Sequence, residues 1–92
     1  METTIKEITI KEIDSAYETL ERVLSRDGME SIKEVLWQNF SGQAAGATMT
    51  GAEILRKMDN EAAAKEIYDY YNDVVGPKFE KLYRKIMNKK EK

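Results

Sequence analysis

The residues with the most chemical promise lie from Gly42 to Gly51, reading Gly-Gln-Ala-Ala-Gly-Ala-Thr-Met-Thr-Gly. This stretch holds three of the five glycines and no charge, in a chain that is 35% charged. Gly46-Ala47-Thr48-Met49-Thr50-Gly51 has the glycine spacing of a phosphate-binding loop, and Thr50 can open a helix whose first amides would hold an anion. The match fails at the next two residues. Ala52 and Glu53 stand where a lysine and a hydroxyl would neutralise phosphate and hold magnesium, and Glu53 repels an anion. The plainer reading is an interhelical connection whose small residues let backbones approach closely or let the loop move. Gly42 and Gly46 also have small-xxx-small spacing, a signal that carries weight mainly inside membranes.

Other catalytic chemistry is limited by inventory. The chain has no histidine and no cysteine, so Ser-His-Asp and Cys-His nucleophiles, histidine-dependent zinc sites and thiolate clusters are absent. Glu30 with Glu34 and Asp69 with Asp73 are carboxylates at helical spacing, which solvated helix faces explain. No Glu-x-x-His pair offers a di-iron site and no calcium-loop pattern occurs. An enzyme would need a carboxylate-lined pocket assembled from residues distant in sequence. No metal, cofactor or catalytic residue is expected.

Two surfaces remain that could bind a macromolecule. Lys81, Arg84, Lys85 and Lys89, with Lys78 and Lys90 nearby, could lie along a basic C-terminal helix against phosphates. Thr50 to Tyr71 could then be a helix-turn-helix about Asp59-Asn60. Against this, the recognition helix would present Glu61, Glu66, Asp69 and Asp73 with only Lys65, in a chain of pI about 5.2. The second surface is aromatic: Trp37, Tyr68, Tyr70 and Tyr71, with Tyr83. Tyrosine and tryptophan join apolar area to a hydrogen-bonding tip, the combination enriched at protein interfaces, and 68, 70 and 71 cannot all face one narrow stripe. The simpler role for Trp37 is closing the edge of a small core, and two of the tyrosines can be core as well.

The elements that must position these residues are helical. Thr4-Ile5-Lys6-Glu7-Ile8 is repeated as Thr9-Ile10-Lys11-Glu12-Ile13, each copy a capping box. Ile10, Ile13, Tyr17, Leu20 and Leu24 keep a three-then-four spacing, predicting a first helix from about Thr9 or Ile10, with residues 1–8 an arm or an early turn. Arg26 and Gly28 end it. A second helix is expected from about Met29 to Asn39, carrying Ile32, Val35, Leu36 and Phe40, with Gly42 as its stop. Thr50 and Glu53 cap a third before Ile54, Leu55 and Met58. A bend at Asp59-Asn60 then precedes a helical run through Glu61-Ala62-Ala63-Ala64-Lys65 to Val75. Gly76-Pro77 is the clearest boundary, since proline suits the first turn of a helix rather than its interior. Phe79, Leu82, Tyr83, Ile86 and Met87 make a last amphipathic helix, and residues 88–92 are expected to fray as a basic tail.

The expectation is therefore an all-α protein, a compact bundle of four to five helices in a single domain of 92 residues with a glycine-rich connection at 42–51. No apolar run approaches a membrane span, and the N-terminus has no signal-peptide pattern, so the chain reads as cytoplasmic and away from membranes. Charge is uneven: nine acids against five bases up to Glu34, six against three from Glu53 to Asp73, then seven bases against two acids from Lys78. Such a dipolar chain can steer a charged partner or fold its basic tail over its own acidic surface. The economical function is a small protein-binding module, a regulator, inhibitor or assembly factor, whose partner is another protein or a second copy in a homo-oligomer. Its contacts would be Trp37, Tyr68, Tyr70 and Tyr71. The alternative is a nucleic-acid-binding regulator using Lys81, Arg84, Lys85 and Lys89.

Overall fold

The computed structural model describes the backbone of residues 2–91 and the side chains of residues 4–87. It is all-helical, and the helices number three rather than four or five. Helix α1 (Glu2–Leu24) begins well before Thr9, so the expected arm is part of it. The cause is tertiary. Ile5 packs against the core, Lys6 forms an ion pair with Glu66, and the buried Thr9 hydroxyl donates to the Ile5 carbonyl at 2.8 Å. Ile13, Ala16 and Leu20 continue this buried face. The turn after α1 reaches Gly28 at φ +85°, a conformation an L side chain rarely adopts.

After one 3₁₀ turn (Glu30–Ile32), α2 (Lys33–Lys57) runs unbroken for 25 residues. The glycine-rich stretch is its middle, not a connection. Each glycine weakens a helix by about 1 kcal/mol relative to alanine, but burial outweighs that here. Ala44, Thr48, Gly51, Ala52 and Leu55 are buried, and the Thr48 hydroxyl is satisfied by the Ala44 carbonyl at 2.8 Å. At Gly51 a Cβ would fall 2.6 Å from Thr9 Cγ2, so the missing side chain sets how closely α1 and α2 approach.

Helix α2 ends in a Schellman arrangement. The Asp59 amide bonds to the Arg56 carbonyl at 2.9 Å and the Asn60 amide to Leu55 at 2.8 Å, with Asp59 left-handed at φ +59°. Asn60 then caps α3 (Glu61–Tyr70), its side chain accepting from the Ala63 amide at 3.1 Å, as the sequence suggested.

The expected boundary at Gly76-Pro77 does not interrupt the chain. A π-helical turn (Tyr71–Val75) joins α3 directly to α4 (Gly76–Glu91), making one long third helix. Two features account for the wide turn. Pro77 has no amide hydrogen and its ring presses on the preceding turn, which a wider turn relieves. In addition, Ile67, Tyr71, Val75 and Phe79 succeed one another every four residues, about 40° more per step than a 3.6-residue turn allows, and the π turn absorbs the drift. Ile67, Val75 and Phe79 thus all face the core. The tail expected to fray is helical in its backbone as far as Glu91, and its side chains, that of Lys89 included, lie outside the described residues.

The third helix runs parallel to α1, with Lys6 beside Glu66, Asp14 beside Tyr70 and Tyr17 beside Phe79. Helix α2 lies antiparallel to both. The core is rich in alanine (Ala16, Ala44, Ala52, Ala63, Ala64), so the helices approach closely in a rod whose Cα extents are 50 × 19 × 14 Å.

Candidate protein-binding site

The third helix parts Tyr68, Tyr70 and Tyr71. At 100° per residue the three point in different directions, and each finds its own neighbour. Tyr68 lies half-buried under the Arg56 guanidinium, 5.4 Å from its ring centre, near the end of α2. Tyr70 turns to α1, where its hydroxyl donates to Asp14 Oδ1 at 2.5 Å. That bond, then burial, then the charges of Asp14 and Glu18 push the Tyr70 pKa up to about 12. Tyr71 faces α2. Only Tyr71 shares a site with Trp37.

That site is an apolar groove of about 410 Å³ between α2 and the π turn with α4. Its rings are Trp37, Tyr71, Phe79 and Tyr83, and its small residues are Gly42, Ala45 and Gly76. Trp37 is held at both ends. Its Nε1–H donates to the Phe79 carbonyl at 2.7 Å, and its ring meets Phe79 edge-on at 6.4 Å and Tyr83 at 4.7 Å. The Tyr83 hydroxyl donates to Glu34 Oε1 at 3.4 Å. On the far side, Phe79 meets Tyr17 edge-on at 5.2 Å, and Lys78 lies 5.5 Å over the Tyr17 ring. Burial, with the neighbouring Glu21 charge and hydrogen bond, raises the Tyr17 pKa.

The π turn shapes the other wall. The Gly76 amide bonds to the Tyr71 carbonyl, five residues back, and a Cβ at Gly76 would stand 3.2 Å from that oxygen. Gly76 therefore keeps the turn close to Tyr71, whose ring lines the groove. Sequence reasoning grouped Tyr83 with the aromatics but missed the wall of Gly42, Ala45 and Gly76. No local spacing joins Gly42 and Ala45 to Gly76, which only the packing of α2 against the third helix brings together.

The basic candidates are differently placed. Lys81, Arg84 and Lys85 are exposed on α4, but Arg84 is already paired with Glu80 at 2.9 Å. Lys85 borders a shallow hollow with Lys33 and Glu21 at the end of α1. Lys89 has its side chain outside the described residues. Of the carboxylate pairs, Asp69 is bound by Lys65 at 2.8 Å, which raises the lysine pKa through that hydrogen bond and charge. Among the described residues no three potential ligands cluster as a metal site, and no helix is long and apolar enough to cross a membrane.

A scan against protein-family models and searches of curated proteins and solved structures find no match to the chain.

Proposed function

We propose that the chain is a small non-enzymatic protein-binding module. Its binding site is the groove between α2 and α4, and the group it takes is an apolar side chain presented by a partner protein. The observation that supports this reading is the groove itself: about 410 Å³ of mainly apolar space bounded by Trp37, Tyr71 and Tyr83. Aromatic rings held by hydrogen bonds lose little freedom on binding, and such rigid rings dominate binding energy at protein interfaces. With its N–H satisfied by Phe79, Trp37 can offer its ring face without leaving a polar group unpaired.

Random 16-residue peptides displayed on phage test the proposal, with an Ala45→Arg variant as counter-target. Peptides carrying aliphatic or aromatic anchors should enrich on the wild type, shift Trp37 emission and lose binding to the variant. Selection of the same peptides by both proteins, or of none, would overturn it.

A further inference from the structure

The outer face of α2 combines an uncharged stretch with exposed large hydrophobic side chains. From Val35 to Ala52 the sequence has 18 consecutive uncharged residues, lying between Glu34 and Glu53. Only one side of this helix is buried, through Ala44, Thr48, Gly51, Ala52 and Leu55. Opposite it, Val35 is 64% and Met49 61% exposed, the two most exposed large hydrophobic side chains among the described residues. Between them lie Gly42 and Gly46, where an added Cβ would meet nothing within 4 Å. Gly51 and Gly76 each accommodate a neighbour inside this chain, whereas Gly42 and Gly46 weaken the helix with no internal contact in return.

From these features we infer that the outer face of α2 is a self-association surface, on which a second copy packs its own α2 antiparallel. This rests on the protein-binding reading and names a partner for it. The spacing is self-complementary. Val35 and Met49 each stand seven residues, or about 10.5 Å, from Gly42. A two-fold axis at Gly42 therefore sets each copy's Val35 against the other's Met49, as an isologous interface requires. The glycines let the backbones cross closely where the helices meet.

The area suits a weak, reversible dimer. The uncharged stretch is about 27 Å long and a helix about 10 Å wide, roughly 270 Å² in projection. A ridged helical face has more accessible surface than its projection, yet the contact stays below the ~800 Å² per partner of a standard interface, in the size range of weak, transient complexes. A net charge of −2 opposes pairing only weakly.

Sedimentation equilibrium of the full chain from 1 to 200 µM is the test. The wild type should show a concentration-dependent monomer–dimer equilibrium. Val35→Glu and Met49→Lys should each weaken dimerisation at least tenfold. The double variant should restore it, because the carboxylate introduced at position 35 of one copy then meets the ammonium introduced at position 49 of the other. Both positions are exposed, and unchanged far-UV circular dichroism checks the fold. A wild type that is monomeric throughout, a dimer indifferent to either substitution, or a double variant that is not rescued would overturn the inference. Ala45→Arg, which blocks the groove, separates the two proposals: loss of peptide binding with Val35→Glu still binding peptide assigns the groove independently of the dimer.

Discussion

Two glycines five residues apart on α2 should respond to alanine with opposite signs. At Gly46 the helix is regular, and an added methyl meets nothing within 4 Å. The Gly46→Ala change thus gains helix propensity, about 0.8–1 kcal/mol, through the entropy of the unfolded chain. At Gly51 the same gain is opposed by overlap. The new Cβ would overlap Thr9 Oγ1 and Cγ2, the latter at 2.6 Å, and stand 2.9 Å from Thr9 Cβ, atoms near the backbone of a buried residue. Thr9 cannot swing away freely, because its hydroxyl is tied to the Ile5 carbonyl. Relief requires α1 to shift, and overpacking of this kind costs about 1–3 kcal/mol. Set against a propensity gain of about 1 kcal/mol, the net effect of Gly51→Ala is a loss of up to about 2 kcal/mol.

Thermal unfolding at about 1 µM, a dilution that works against self-association, measures both. For a domain of this size 1 kcal/mol moves Tm by about 4–8 °C, so Gly46→Ala should melt several degrees above wild type and Gly51→Ala below it. Thr9→Ala in the Gly51→Ala background should recover most of the loss, since it removes the two overlapping γ atoms. If Gly51→Ala raises Tm as much as Gly46→Ala does, the reasoning about the α1–α2 approach is refuted.

Three further outcomes follow from other sites. Asp59→Gly should stabilise the chain by about 1 kcal/mol, because glycine reaches the left-handed φ of +59° without the steric cost that aspartate bears there; a urea midpoint at or below wild type would contradict this. Tyr70→Phe probes the bond to Asp14. The folded state holds the Tyr70 proton up to about pH 12, against about 10 in the unfolded chain, so its contribution is complete below pH 10 and lost as pH rises from 10 to 12. Two pKa units would be worth about 2.7 kcal/mol, but solvent screening at a partly exposed tyrosine reduces this to about 1. The stability gap between wild type and Tyr70→Phe, followed by urea melts against pH, should therefore close by pH 12. Trp37→Phe loses the hydrogen bond to the Phe79 carbonyl and part of the ring contact with Tyr83, and should cost about 1–2 kcal/mol in the same melts.

The helical class was legible because the apolar spacing at Ile13, Leu20, Leu55, Ile67 and Phe79 reports which face is buried whatever the neighbours are. Helix ends governed by local bonds were legible too: Asn60 caps α3, and Gly28 takes its left-handed turn. What misled was punctuation whose meaning depends on tertiary packing. Glycines 42, 46 and 51 read locally as a loop, but the packing of Ala44, Thr48 and Ala52 against neighbouring helices holds that stretch helical. Gly76-Pro77 read locally as a stop, yet glycine tolerates the helical angles before proline and the π turn makes room for the ring. The aromatic site was half legible. Ordinary helical rotation already separates Tyr68, Tyr70 and Tyr71, but the phase that unites Trp37 and Tyr71 with Tyr83 is set by the π turn, which no local spacing rule supplies.

The same turn explains why the groove exists at all. Continued as a regular α-helix, the spacing of four from Ile67 through Tyr71 and Val75 to Phe79 would rotate Phe79 about 120° from the direction of Ile67. It would then leave Tyr17 and Trp37, and its carbonyl would no longer receive the indole N–H. The widened turn restores Phe79 to the core and leaves Gly76 against the Tyr71 carbonyl, with the Tyr71 ring turned towards Gly42 and Ala45 on α2. Core packing and groove shape are thus set by one local feature. A substitution at Gly76 or Pro77 should disturb the position of Tyr71 and the setting of Trp37 together, whereas one at Tyr68 or Tyr70 should leave both in place.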